Sequence, residues 1–141
     1  MDDAIIINQS FWNRIKSFFS VKAFNSASTL TLNGSDWHEI EKDIDGNKFR
    51  WSYPKTTIEF ENISAIRIKV VCPIGREVHI YNNKISSKHK LTPNKSYIFI
   101  VNCVGAKSLT IETETYMPEN DIRQLGLCFF QVCEHPSLSC L

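Results

Sequence analysis

The strongest constraint on this chain is a change of period. Up to about Asn25 apolar residues recur every three or four positions, and beyond it they alternate with polar ones. A period near 3.6 lines up one face of a helix, whereas a period of 2 sends successive side chains to opposite faces of a strand. In the first segment Phe11, Trp12, Ile15, Phe18, Phe19 and Val21 predict a helix over 9–24, N-capped by Ser10 and made basic by Arg14, Lys16 and Lys22. The later alternation predicts strands over 28–32, 48–52, 56–61, 65–71, 77–81, 84–85, 97–103, 108–116 and 125–133. Ile66, Ile68 and Val70 share one face while Arg67 and Lys69 share the other. The 97–103 run is apolar on both faces, as in an interior strand. Asp45-Gly46-Asn47, Asn82-Asn83 and Gly105 supply the turn chemistry. No helical pattern separates these strands, which excludes a βαβ architecture. The expected fold is all-β: an antiparallel, jelly-roll-like β-sandwich over 27–134, preceded by an amphipathic helix segment (1–26) and followed by a short tail (135–141).

Length and charge bound the function. The chain has 141 residues, enough for one domain, and 16 Lys plus Arg against 15 Asp plus Glu give it no electrostatic footprint for nucleic acid. No apolar run reaches the length of a membrane span. The N-terminus carries acids where a secretory signal carries bases, and Ile5-Ile6-Ile7 is too short for its apolar region. A cytoplasmic location is therefore expected, with the five cysteines reduced.

Signals for chemistry are weak. The tail offers Cys128, Cys133, His135 and Cys140, which suggests zinc. The odd separation of Cys128 and Cys133 would point them to opposite faces of one strand, however, and the compact C-x2-C spacing is missing. There is no nucleophile elbow, no catalytic cysteine signature and no glycine-rich phosphate loop. Carboxylate pairs occur at Glu39/Glu41, Asp43/Asp45 and Glu112/Glu114, but nothing selects one as an acid–base pair. The chain is expected to be no enzyme and to need no cofactor or metal, with a small hydrolase as the outlying alternative.

The denser signal lies between residues 37 and 53. Trp37, His38, Glu39, Glu41, Asp43, Asp45, Phe49, Arg50, Trp51 and Tyr53 combine aromatic rings with planar polar groups. Sugars have apolar faces and hydroxylated rims, so a site for them needs both. Two readings stand for the tryptophans: platforms for a glycan, or plugs in the end of a sandwich with Arg50 paired to Glu41 or Asp43.

The stretch Gly34-x2-Trp37-x3-Glu41-x4-Gly46-x2-Phe49-Arg50-Trp51-Ser52 opens this region. Val78-His79-Ile80-Tyr81-Asn82-Asn83 follows, and Met117-Pro118-x2-Asp121-x-Arg123-x-Leu125-Gly126 closes it. Over about Leu30 to Cys133 this pattern resembles the accessory β-sandwich domains attached to bacterial cell-surface polysaccharide glycosyltransferases. It departs from them in separating Gly34 from Trp37 and in placing Asn83 where a hairpin glycine is usual. The resemblance implies a jelly-roll-like domain without chemistry of its own, which binds glycan or supports a catalytic neighbour. It carries Trp37, Glu41, Arg50 and Trp51 into an opening cluster and Asp121 and Arg123 into a closing one. Arg123 would either grip an acidic sugar or pair with Asp121 or Glu41.

The candidate glycan site is thus Trp37, Glu41, Arg50, Trp51, Tyr53, Asp121 and Arg123. The stripe Phe11, Trp12, Phe18 and Phe19 packs on the sandwich, docks a partner protein such as a glycosyltransferase, or rests on an anionic membrane surface. The leading expectation is a non-catalytic carbohydrate-binding module, with an acidic glycan among its candidate ligands; the alternative is an interaction module docking through the helix.

Overall fold

A computed structural model of the chain describes residues 3–7, 29–32 and 34–135. These are almost entirely strand: β1 (Asp3–Ile7), β2 (Thr29–Leu32), β3 (Trp37–Lys42), β4 (Lys48–Ser52), β5 (Lys55–Glu61), β6 (Ala65–Val71), β7 (Arg76–Tyr81), β8 (Ser86–Leu91), β9 (Ser96–Asn102), β10 (Ser108–Thr113) and β11 (Cys128–Glu134). A single turn of 3₁₀ helix at Gly34–Asp36 leads into β3. The strands form a six-stranded sheet in the order β1-β9-β6-β11-β4-β3 and a five-stranded sheet in the order β2-β5-β10-β7-β8. Pairing is antiparallel throughout except between β1 and β9. The expected all-β class holds. The predicted helix over 9–24, with Phe11, Trp12, Phe18 and Phe19, and the tail with Cys140 lie outside the described residues.

Alternation sets the register. Ile66, Ile68 and Val70 of β6 pair with Val101, Phe99 and Tyr97 of β9, and on the other side Ile68 and Val70 pair with Val132 and Phe129 of β11. Ile58 and Phe60 of β5, Val78 and Ile80 of β7, and Leu109 and Ile111 of β10 do the same in the second sheet, and both sets belong to one buried core. A slip of one residue in β6 would drive Arg67 and Lys69 into that core, so the register is strongly specified. Asx-type turns close the hairpins: Asp43 Oδ1 accepts from the backbone N–H of Asp45 (2.9 Å) and Asn47 (2.8 Å), with Gly46 at φ +84°, and Asn82 Oδ1 accepts from Lys84 (2.7 Å) and Ile85 (3.0 Å). No helix among the described residues is long and apolar enough to cross a membrane.

Three strands escape the sequence reading, β1, β3 and β8, and each is the edge of a sheet. The expected strand over 108–116 stops at Thr113, because the chain there leaves the sheet and folds back along β4. In that return Tyr116 and Leu125 exchange backbone hydrogen bonds (2.7 and 2.9 Å). Gly126 N–H then donates to Ser52 O at 2.7 Å, and Ser52 N–H donates to Leu127 O at 2.9 Å. The Ser52 hydroxyl accepts from Leu127 N–H at 3.1 Å. A Cβ at position 126 would lie 2.3 Å from the Tyr53 carbonyl oxygen, so only glycine fits. Beneath the seam, Arg76 is 4% exposed and donates from Nη1 to Gly126 O at 2.8 Å, with its guanidinium 5.8 Å from the Tyr116 ring centre. Burial pulls the Arg76 pKa down, yet arginine stays charged in proteins, so the seam holds a buried cation.

Gly126→Ala should therefore cost about 3 kcal/mol or more in urea unfolding, because the obstructing atoms are backbone. Gly34→Ala, with nothing within 4 Å of the added carbon, should change stability by no more than about 0.5 kcal/mol. Equal effects at the two positions would contradict this description of the seam.

Candidate functional site

The expected site residues separate into two groups. Trp37 starts β3 opposite Ser52 of β4 and is only 4% exposed, its ring meeting Phe129 edge-on at 4.8 Å. Trp51 points to the opposite side of β4, is 9% exposed and packs 5.8 Å from Tyr116. Both tryptophans fill core, so neither offers the flat exposed face that a sugar platform requires. This corrects the placement of Trp37 and Trp51 at the ligand surface. The physical reason is that each begins or occupies a strand whose face is closed, Trp37 by Phe129 and Trp51 by the returning 114–127 segment. Phe99 and Phe129 are buried, while Phe130 is half-buried and packs on Phe49 at 5.5 Å.

Arg50 is half-buried on the Trp37 side of β4. Its Nε donates to the His38 carbonyl at 2.6 Å, and its guanidinium carbon lies 5.7 Å from the Trp37 ring centre. It pairs with neither Glu41 nor Asp43, since Asp43 is engaged in the turn and Glu41 in the ion pair described next.

The second group converges. Arg123 donates from Nε and Nη2 to the two oxygens of Asp121 (3.0 and 2.7 Å) and from Nη1 to Glu41 Oε2 (2.8 Å). The backbone N–H of Arg123 adds a further bond to Asp121 Oδ1 at 2.9 Å. This bridge joins the opening and closing motifs across 82 residues of sequence. The Arg123 hydrogen bonds, side chain first and then backbone, hold the Asp121 carboxyl down at about 2, and both carboxylates raise the Arg123 pKa. Partly exposed pairs of this kind contribute little to stability, but bidentate geometry fixes the position of both partners. With its fork committed, Arg123 has no second bidentate grip for an acidic ligand.

On the outer side of this bridge His38 Nε2 meets Gln124 O at 2.9 Å, and the His38 ring stacks on Tyr53 with centres 4.1 Å apart and planes 16° from parallel. Tyr53 is 39% exposed. Glu41, Asp121 and Arg123 thus come together, and His38, named in the 37–53 cluster but not among the candidate site residues, links them to Tyr53.

Of the four tail residues that suggested zinc, Cys128 and Cys133 lie on β11. The ladder of β11 shifts register between Phe129 and Gln131, and this bulge puts Cys128 and Cys133 on the same outer face rather than on opposite ones. They remain about 15 Å apart along the strand. Cys72, Cys103 and Cys128 are free and buried, and burial pushes the thiols of Cys103 and Cys128 up to about 12. Cys133 is disulfide-bonded, which departs from the expectation that all five cysteines are reduced. Among the described residues no group of three or more His, Cys, Asp or Glu side chains could hold a metal ion.

The Asp121 carboxyl stays ionised in the folded protein down to about pH 2, while an aspartate in the unfolded chain protonates near 3.9. Its stabilising contribution is complete above about pH 4 and is lost as the pH falls toward 2. Urea midpoints for Asp121→Asn should accordingly fall less steeply than those of the parent protein between pH 4 and 2. Parallel pH profiles would contradict the Asp121–Arg123 assignment.

Comparison with known protein families, with curated proteins and with solved structures finds no match to this chain.

Proposed function

We propose that this chain is a non-catalytic carbohydrate-binding module, a jelly-roll-like β-sandwich that serves a bacterial surface-polysaccharide glycosyltransferase system from the cytoplasmic side. The observation that carries the reading is the exposed Tyr53 ring, backed by His38 and standing beside the Glu41–Arg123–Asp121 bridge. A sugar is held by an apolar ring face against an aromatic plane and by fixed acceptors for its hydroxyls. Tyr53 supplies the plane. Glu41 and Asp121, immobilised by Arg123, supply carboxylate oxygens that retain lone pairs after the ion pairs are counted. Immobilised acceptors cost less ordering on binding than free side chains do.

The sandwich reading rests on two sheets that contribute to one core, and the family reading on the quoted motifs, whose Glu41, Asp121 and Arg123 meet in space. Because the Arg123 fork is occupied, a neutral sugar suits the surface better than an acidic one. The same commitment argues against hydrolysis, since Arg123 holds the Asp121 carboxyl as an ion and so does not keep it as a proton donor.

Titration of neutral and acidic oligosaccharides, followed by NMR, should shift the resonances of Tyr53 and His38 first. Tyr53→Ala should weaken binding about tenfold, the loss expected for one ring-stacking contact, with an unchanged fold. If no oligosaccharide in a broad set perturbs these residues at millimolar concentration, the reading fails.

A further inference from the structure

The strand β4 is hydrogen-bonded to β11 only through Trp51 opposite Cys128 and Arg50 opposite Phe129. Beyond that point the bulge in β11 ends the pairing of β4 on that side, while on the other side Ile40, Glu41 and Lys42 of β3 stay paired with Arg50, Phe49 and Lys48. The result is a cavity of about 180 Å³. Phe49 and Lys48 line it from β4, Phe130 and Val132 from β11, and Leu32 reaches it from the second sheet. Its mouth is marked by Ile40, which is 61% exposed although apolar.

The polar groups around this cavity are unbalanced. Among the described residues no Asp or Glu lines it, whereas Lys48 and Arg50 both do, beside the neutral amide of Gln131. Among the described residues Lys48 has no ion pair, and Arg50 is held by its Nε bond to the His38 carbonyl and by the Trp37 ring. Trp37, which also lines the cavity, is 4% exposed, and its indole Nε1 is buried with no acceptor. Buried donors in folded proteins nearly always find a partner, and two cations at one apolar hollow with no carboxylate among the described lining residues favour an anion brought from outside. The volume is of the order that admits one aromatic ring or a short acyl chain.

We propose that the hollow between β4 and β11 binds a small amphiphile with a ring-sized or short-chain apolar body and a single carboxylate, the carboxylate facing Arg50 and Lys48. The body replaces water against Phe49, Phe130 and Val132, and the head supplies the missing negative charge. This site is separate from the Tyr53 surface and stands or falls without it.

The test compares phenylacetate with 2-phenylethanol, and octanoate with octanol, by calorimetry and ligand-observed NMR on the full chain at neutral pH. Each acid should bind at least about tenfold more tightly than the alcohol of the same body, the ratio expected for one charge-assisted hydrogen bond. Ligand protons should show contacts to Phe130 and Val132. Lys48→Ala, at an exposed position, should reduce the acid preference while leaving the fold intact. Arg50→Gln should remove most of it, and Val132→Phe, which fills the hollow, should abolish binding of acid and alcohol alike. Equal affinities for acid and alcohol, no binding of either at millimolar concentration, or binding that survives Val132→Phe in a folded variant would each overturn the proposal.

Discussion

At position 126 two backbones come so close that a hydrogen is the largest substituent the space allows. Ser52 and Gly126–Leu127 exchange hydrogen bonds there, and Arg76 secures the Gly126 carbonyl from below. Taking a guanidinium out of water is costly unless it is well satisfied, and this one has a backbone oxygen at Nη1 and an aromatic face nearby, while its Nη2 is buried without a hydrogen-bond partner. The arrangement persists because the surrounding sheet determines it. Once the 114–127 segment is pinned at this seam, Tyr116 closes over Trp51 and Asp121–Arg123 is delivered to Glu41 on the edge strand β3. The candidate ligand surface is therefore a consequence of the seam.

This gives the motif residues a division of labour. Trp37, Trp51, Gly126 and Arg76 build the end of the fold, while Glu41, Asp121 and Arg123 lock two distant segments of chain together. What remains for a ligand is the outer surface that they hold in place, the Tyr53–His38 pair. Residues that stand out in a sequence because they are large, charged or conformationally special are those that packing can use as well as binding can. Their burial here, 4% and 9% exposure for the tryptophans, decides between the two uses.

Interior strands were legible because burial on one or both faces imposes a pattern: Ile66-x-Ile68-x-Val70 and the run 97–103 could hardly be read otherwise. The strands that were missed sit at sheet edges, where one side has no neighbour and polar or basic residues discourage further pairing. Ser86-Ser87-Lys88-His89-Lys90-Leu91 of β8 and Trp37-His38-Glu39-Ile40-Glu41-Lys42 of β3 look like loops for that reason. The β11 bulge was also invisible, since an inserted residue changes which face each later side chain occupies without altering composition. It reversed the parity argument for Cys128 and Cys133 and opened the hollow beside Phe130. The Arg123 bridge was half legible: its acid partners were named as alternatives, and the structure uses both.

Native-state hydrogen exchange tests the dependence of the surface on the seam most directly. The amides of Ser52, Tyr116, Leu125, Gly126 and Leu127 should exchange only through global unfolding, with the same free energy as core strands β6 and β9. Exchange of these amides through a local opening of the 114–127 segment, at a free energy well below that of β6 and β9, would contradict the account, because the segment would then ride on the fold rather than complete it.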